Sequence, residues 1–170
     1  MQQSQIRSIE TQYNGYRFRS RLEARAAVFF DAAGVEYEYE PEGFILSDGS
    51  WYLPDFYVKP IGKEKNDWGC GNCGWYVEVK GSMDDKEGIR KAKLLDNTYL
   101  PNVWGVLLFT PDILTAKGYS YFEVFTDDGQ GCYMPTSLGS FAGHLDVPAD
   151  LAIKAQKKAK AARFEHGEHP

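Results

Sequence analysis

The sequence predicts one α/β domain with a mixed central β-sheet flanked by helices, and three segments carry that prediction. Residues 20–33 place apolar side chains at helical spacing, and residues 76–80 alternate between apolar and charged or aromatic side chains as a strand does. Residues 103–109 form a continuous apolar run that is typical of a buried central strand. The segments follow the order α-β-β-β-α-β, and a length of 170 residues is that of a single domain, 1–170.

Turn residues delimit the elements. Gly34 ends the first predicted helix, and a strand follows over 35–39. The pattern of residues 51–58 predicts another strand. Because Pro54 has no backbone N–H to donate to a neighbouring strand, we expect this strand to lie at an edge of the sheet or to lose pairing at that point. The remaining predicted elements are a loop over 59–74, a strand over 75–80, a helix over 84–99, a strand over 119–125 and a basic, alanine-rich helix over 149–164.

Composition excludes several classes of protein. No apolar stretch approaches the roughly 20 residues of a membrane helix, and the polar N-terminus lacks the apolar region of a signal peptide. Three cysteines cannot form a fully paired disulfide framework. The sequence therefore predicts a soluble cytoplasmic protein that does not bind membranes. A net charge of −5 argues against non-specific coating of nucleic acid, although two segments, 17–25 and 154–163, are locally basic.

The strand over 76–80 contains the first candidate functional residues. Its alternation places Glu78 and Lys80 on one face. If the strand that carries Asp55 pairs with it, Asp55 and Glu78 converge, and a divalent cation would relieve their repulsion. Carboxylate oxygens suit Mg²⁺ or Mn²⁺, which polarises a phosphoryl group and acidifies bound water. Lys80 would then orient or deprotonate the attacking water and offset phosphate charge.

Glu23 has two interpretations. Ser20 and Glu23 have the spacing of a capping box, in which the glutamate bonds back to the backbone of the cap residue. Alternatively, Glu23 is a third acid of the metal site. Taken alone, Asp55 could equally be a turn acid, and Glu78 with Lys80 a solvated pair on an edge strand.

Taken together, the helix glutamate, the Pro-Asp pair and the Glu-x-Lys strand resemble the PD-(D/E)xK nuclease superfamily, which has the restriction-endonuclease-like fold. The sequence is most similar to the phage endonuclease I family of Holliday-junction resolvases, over about residues 16–100. The segments that carry this likeness are Phe18-Arg19-Ser20-x-Leu22-Glu23, the strand 36–40, Tyr52-x-Pro54-Asp55-Phe56, Val77-Glu78-Val79-Lys80-Gly81 and Asp84-Asp85-Lys86.

The resemblance implies a metal-dependent DNA endonuclease that leaves a 5′-phosphate and acts in phage recombination or repair, in the host cytoplasm. It implies that Asp55 and Glu78 bind Mg²⁺ or Mn²⁺, that Glu23 adds a ligand or holds a metal-bound water, and that Lys80 assists the attacking water. Residues 16–110 would form the catalytic core. The family's resolvases are domain-swapped dimers, which leaves a homodimer open here. The basic residues placed to contact DNA are Arg17, Arg19, Arg21, Arg25, Lys91 and Lys93.

The substrate remains open between branched DNA and the targets of a sequence-directed or nicking DNase, because the insertion over 59–74 and the segment after about residue 110 have no counterpart in that likeness. RNA is a further alternative. Outside the enzyme class, a catalytically silent fold that binds nucleic acid or protein would carry the same residues. The basic helix and tail over 148–170 would either follow a phosphate backbone or serve as a solvated cap on the domain.

The insertion over 59–74 contains a Cys-x-x-Cys-Gly turn. This is the shape of a zinc knuckle, in which Cys70 and Cys73 would supply two of the four ligands of a structural zinc. Cys132 and His144 are the remaining candidates for the other two ligands. The alternative interpretation is a pair of reduced thiols in a glycine-rich loop.

Overall fold

A computed structural model describes residues 8–62, 73–115 and 137–164, together with the backbone at 123–124 and 134–135. It is a mixed α/β structure with a mixed central sheet flanked by helices, as the sequence predicts. The elements in chain order are β1 (Thr11–Tyr13), β2 (Tyr16–Phe18), α1 (Arg21–Ala33), β3 (Glu36–Tyr39), β4 (Phe44–Ile45), β5 (Trp51–Tyr52), β6 (Phe56–Lys59), β7 (Gly74–Val79), α2 (Lys86–Asp96), β8 (Val103–Phe109), α3 (Pro111–Thr115), β9 (Glu123–Val124), β10 (Met134–Pro135), α4 (Leu138–His144) and α5 (Ala149–Ala161).

The central sheet has the strand order β3-β6-β7-β8. β6 is antiparallel to both β3 and β7, whereas β7 and β8 run parallel and are joined through α2. Phe56 pairs with Val77. The first residues of β6 therefore lie beside the last residues of β7, and this register brings the residue before β6 to the end of β7.

The first helix confirms its sequence signals. Ser20 is the N-cap of α1 and accepts a hydrogen bond from the Glu23 backbone N–H at 3.1 Å. Gly34 follows with φ of 72°, in the left-handed conformation that glycine adopts without strain, and it donates back to the last turn. One face of α1 covers the sheet and another packs along α5. The aromatic residues at the centre of this core are Phe29, Phe30, Phe56, Phe109 and Phe141.

The structure corrects two predictions about strands. Residues 51–58 are not one strand, because β5 pairs with β4 in a separate two-stranded sheet and β6 begins only at Phe56, in the central sheet. Of the two outcomes predicted for Pro54, an edge position or a loss of pairing, the second is observed, since Pro54 lies between the two strands and belongs to neither. β6 itself lies inside the sheet, between β3 and β7.

The strand over 103–109 has the predicted bounds but not the predicted central position. In the described part of the chain, β8 is the last strand of the four-stranded order. Its Val106–Phe109 segment is nevertheless buried, because α2 packs on one face and the core beneath α1 covers the other. A continuous apolar run therefore reports burial on both faces and does not require neighbours on both edges.

The other predicted helices and strands agree with the structure in type and differ in length, whereas β1, β2, α3 and α4 were not predicted. The helix predicted over 84–99 begins after Asp85, whose side chain accepts from the Gly88 N–H, and ends at Asp96. Of the strand predicted over 119–125, only 123–124 are described, as β9. The C-terminal helix ends at Ala161, three residues before the predicted end. Among the described residues, no helix combines the length and the apolar character needed to cross a membrane.

Candidate functional site

Three of the predicted site residues meet where β6 begins and β7 ends. Asp55 immediately precedes β6. Glu78 is the second-to-last residue of β7, and Lys80 directly follows that strand. All three are buried, with Asp55 4%, Glu78 6% and Lys80 9% exposed. Burying two carboxylates and an ammonium is costly unless their charges are compensated. Their partners therefore indicate what the site is built to hold.

Asp55 is held by two donors. The Val79 backbone N–H donates to its Oδ2 at 2.7 Å, and Arg19 Nη2 contacts its Oδ1 at 2.5 Å. Burial, followed by the negative charges of Glu78 and Glu23, raises the pKa of Asp55 well above its ordinary value, although the Val79 N–H and Arg19 act in the opposite direction. The anionic form of this carboxyl is therefore under-compensated, and additional positive charge would stabilise it.

Glu78 and Lys80 form a buried ion pair. Lys80 Nζ lies 2.7 Å from Glu78 Oε1, and the Tyr52 hydroxyl donates to Glu78 Oε2 at 2.6 Å. Lys80 Nζ also donates to Asp85 Oδ2 at 2.8 Å. Burial alone would lower the pKa of Lys80, but the charges and hydrogen bonds of Glu78 and Asp85 outweigh it, so this pKa lies above its ordinary value. The lysine is therefore a charged donor in this state.

A glycine in α2 leaves room for this ammonium. A Cβ at position 88 would overlap Lys80 Nζ and Asp85 Oδ2, so Gly88 permits the close approach of the lysine to the first turn of the helix. Asp85 thus has two roles, because it caps α2 and holds Lys80. Neither Gly88 nor Asp85 was predicted as a site residue, although the sequence does place a glycine in the first turn of a helix, three residues after an aspartate.

Glu23 lies beside this group and also stabilises the start of α1. Its Oε1 accepts from the Ser20 hydroxyl at 2.7 Å, and its Oε2 accepts from the Tyr39 hydroxyl at 2.7 Å and from the Arg19 backbone N–H at 3.0 Å. The expected return bond to the Ser20 backbone is therefore replaced by one to Arg19. The charge of Glu23 nevertheless raises the pKa of Asp55. Both predicted interpretations of Glu23 are compatible with this geometry.

The donor set allows a test of how a divalent cation would fit. Across residues 8–62, 73–115 and 137–164, no three or more His, Cys, Asp or Glu side chains are grouped closely enough to hold a metal ion by themselves. Mg²⁺ commonly binds through one or two carboxylates and keeps several waters for contact with substrate phosphates. Two buried, mutually repelling carboxylates, Asp55 and Glu78, fit that requirement, with Glu23 beside them.

The basic residues predicted to contact DNA separate into three locations. Arg19 bridges Asp55 and Glu40 and is half exposed, and Arg17 pairs with Glu10 at the surface. Arg21 and Arg25 line a pocket with the end of α5. Lys91 and Lys93 are on α2, where Lys91 Nζ donates to the Trp51 carbonyl at 3.1 Å. Of this set, the structure brings only Arg19 into contact with the acids.

The cysteine turn lies largely outside the described residues. Cys73 is described and is disulfide-bonded, whereas Cys70 and Cys132 are not described. The interpretation of Cys73 as a reduced thiol is therefore wrong for this structure. A disulfide sulfur is not the thiolate that zinc requires, so zinc binding by Cys70 and Cys73 stays a prediction for the reduced chain.

Comparison of the chain with protein-family models, with curated proteins and with solved structures finds no match. The class that the geometry itself defines is a mixed α/β protein with a buried acid-lysine group at one end of a mixed sheet.

Proposed function

We propose that the protein is a metal-dependent DNA endonuclease with a restriction-endonuclease-like core, which hydrolyses phosphodiester bonds with Mg²⁺ or Mn²⁺. The observation that carries this proposal is the burial of Asp55, Glu78 and Lys80 in one place, with the charge of Glu23 acting on Asp55. Such a group has no evident value for stability, because burying paired charges seldom improves on apolar packing. Its presence is better explained by chemistry that requires concentrated negative charge beside a cation.

In this proposal, Asp55 and Glu78 hold the divalent cation, and Glu23 adds a ligand or holds a water on it. The ion supplies Lewis-acid polarisation of the phosphoryl group and lowers the pKa of a bound water. Of the two roles predicted for Lys80, its raised pKa favours orienting the water and stabilising phosphate charge over removing a proton. Val79 fixes one oxygen of Asp55 through its backbone N–H, which leaves the other oxygen to Arg19 or to a cation.

The same contacts favour one alternative, a catalytically silent module that binds nucleic acid or protein. Arg19 and Lys80 already neutralise part of the acid charge without any ion. In that case the group would be a static charge network, and removing its acids would leave binding unchanged. Branched DNA, sequence-directed cleavage and nicking are alternative substrate preferences within the proposed enzyme, as is RNA in place of DNA.

The test is cleavage of supercoiled plasmid in Mg²⁺ or Mn²⁺, with EDTA as the blank. The parent is compared with Lys80→Ala and Glu78→Gln, and with Glu87→Gln as a matched control, since Glu87 is an exposed acid of α2 that pairs only with Arg90 among the contacts described for it. We expect metal-dependent cleavage in the parent and the control and its loss in both site variants. Equal cleavage by all four proteins, or no cleavage by the parent on junction, linear and supercoiled DNA, would reject the proposal.

A further inference from the structure

A basic pocket, separate from the acid-lysine group, lies where the first turns of α1 meet the end of α5. The two helices pack along each other, and a pocket of about 260 Å³ opens between them. Among the described residues that line it, four are cationic and none is acidic: Arg21, Arg25, Lys160 and Arg163. In a chain with a net charge of −5, this is a local concentration of positively charged side chains.

Arg25 contributes a permanent positive charge to the wall of this pocket. Its Nε is buried and has no hydrogen-bond partner among the described residues, which leaves the two Nη atoms as the donors that can face a ligand. A guanidinium does not lose its charge in proteins, so the cationic walls favour an anion. Phe164 closes one side of the pocket, and its ring is fixed by an edge contact with Tyr13 at 6.2 Å between centroids.

The size and charge of the pocket select the class of anion. A volume of 260 Å³ is below the roughly 300–1,000 Å³ of sites that enclose a whole small-molecule ligand. Arginine forks match the oxygens of a phosphate group in particular. The N-terminal end of α1 favours an anion, whereas the carboxyl end of α5 opposes it, so the four cations must supply most of the attraction.

We infer that this pocket binds a backbone phosphate of DNA, as an anchor separate from the acid-lysine group. The inference rests on the proposed function for its choice of DNA. Arg21 and Arg25 are one helical turn apart and share one side of α1, whereas Glu23, two residues after Arg21, is directed to a different side. A phosphate bound in the pocket would therefore be a different one from the phosphate at the acids.

The test measures binding of a labelled DNA duplex in EDTA, so that cleavage does not contribute, across a range of salt concentrations. The variant is Arg25→Gln with Lys160→Gln. The control is Lys157→Gln with Lys158→Gln, which removes the same charge from exposed positions of α5 that do not line the pocket. We expect the pocket variant to lose about tenfold in affinity and to reduce the slope of log K against log salt by about 1. The control should change affinity less than about twofold by the same reasoning.

Each outcome decides the inference. Equal losses in the two variants, parental affinity in the pocket variant, or no DNA binding by the parent would each overturn it, and circular dichroism must show that both variants are folded. Inorganic phosphate serves as a second probe. If it stabilises the parent through the pocket while DNA affinity is unaffected by the variant, the site is for a free anion and the assignment to DNA is wrong. A parent that binds DNA through the pocket but cleaves nothing with metal would reject the proposed function and retain the anchor.

Discussion

Two aspartates of this protein have pKa values raised mainly by burial, but only one of them is surrounded by other acids. Asp96, at the end of α2, is partly buried, and burial raises its pKa to about 6 despite one hydrogen bond from the Val106 backbone N–H. Asp55 is almost fully buried, and the charges of Glu78 and Glu23 add to the effect of burial. One site holds a single acid and the other holds a group of acids.

The difference separates a structural acid from a functional candidate. Asp96 serves the start of β8, where its carboxylate accepts from Val106 and lies against Gly105, whose φ of 150° and missing Cβ allow that approach. The Val106 N–H is the only hydrogen bond described for this carboxylate, and no second acid contributes to its raised pKa. Around Asp55, acids repel one another and depend on Arg19 and Lys80. A raised pKa alone is therefore weak support for a functional site, and grouped charge beside a cation is what makes the Asp55 group a candidate.

The largest predicted effect is on cleavage. Glu78→Gln should reduce metal-dependent cleavage by about a thousandfold, because a metal's stabilisation of transition-state charge is worth several kcal/mol and each 1.36 kcal/mol is about tenfold. Asp96→Asn, the matched change at the solitary acid, should leave the rate within about twofold. Single-turnover rates on plasmid measure both. Similar losses in the two variants would erase the distinction between the acids.

The next largest effect is on stability with metal bound. Mn²⁺ at about 100 times its dissociation constant should stabilise the parent by about 2.7 kcal/mol, or about 5–10 °C in midpoint for a domain of this size. Asp55→Asn, which can still accept from Val79, should lose this shift. Asp96→Asn should keep it. Calorimetric scans with and without Mn²⁺ report the shift, and an unshifted parent would contradict metal binding at this group.

A smaller effect separates the two roles of Glu23. Ser20→Ala removes the cap and should cost about 1 kcal/mol without changing the Mn²⁺ shift. Glu23→Gln keeps a carbonyl oxygen that can accept from Arg19 or Tyr39, so it should cost little stability, but it should weaken both the Mn²⁺ shift and cleavage if its charge serves the metal. Urea unfolding and the Mn²⁺ scan are measured on both variants. An unchanged shift in Glu23→Gln would leave Glu23 as a cap alone.

The smallest effect is a pH dependence at Asp96. Its folded pKa of about 6 exceeds its ordinary 3.8, so the folded state binds its proton more tightly and loses stability as the pH rises through this window. Asp96→Asn should remove that loss. Its free energy of unfolding should therefore rise by about 1 kcal/mol relative to that of the parent between pH 4 and pH 7, since partial solvent exposure of Asp96 weakens the full effect of the pKa shift. Urea titrations in EDTA measure the difference. A difference that does not change with pH would show that Asp96 titrates normally.

The parts of the fold that the sequence predicts are those with strong local signals. Helix α1 has its cap at Ser20 and its αL glycine, and β8 lies between two prolines, so local chemistry sets their bounds. The break at Pro54 was detected, but the internal position of β6 was not. That position depends on which strands pair across long stretches of chain, and no local pattern reports it.

In the candidate site, too, the residues with local sequence signals were predictable and their distant partners were not. Asp55, Glu78 and Lys80 could be named because each is adjacent to or within a strand with a regular pattern. Their partners could not, since Arg19, Tyr52 and Asp85 come from separate segments and reach the acids only after folding. Arg19 in particular was predicted to contact DNA but lies on Asp55 in the structure. Its contact with DNA stays a prediction.

The end of the β6-β7 ladder has a consequence for engineering the protein. Extending the register from Phe56 and Val77 places Pro54 opposite Val79, and the side chain of Asp55 accepts the Val79 N–H that strand pairing would otherwise use. The carboxylate therefore substitutes for a backbone carbonyl as the last rung of the ladder. A replacement that cannot accept a hydrogen bond would fray the sheet end as well as remove the charge. A variant that lacks the charge but keeps the fold is best made with asparagine at this position, with Pro54 left in place.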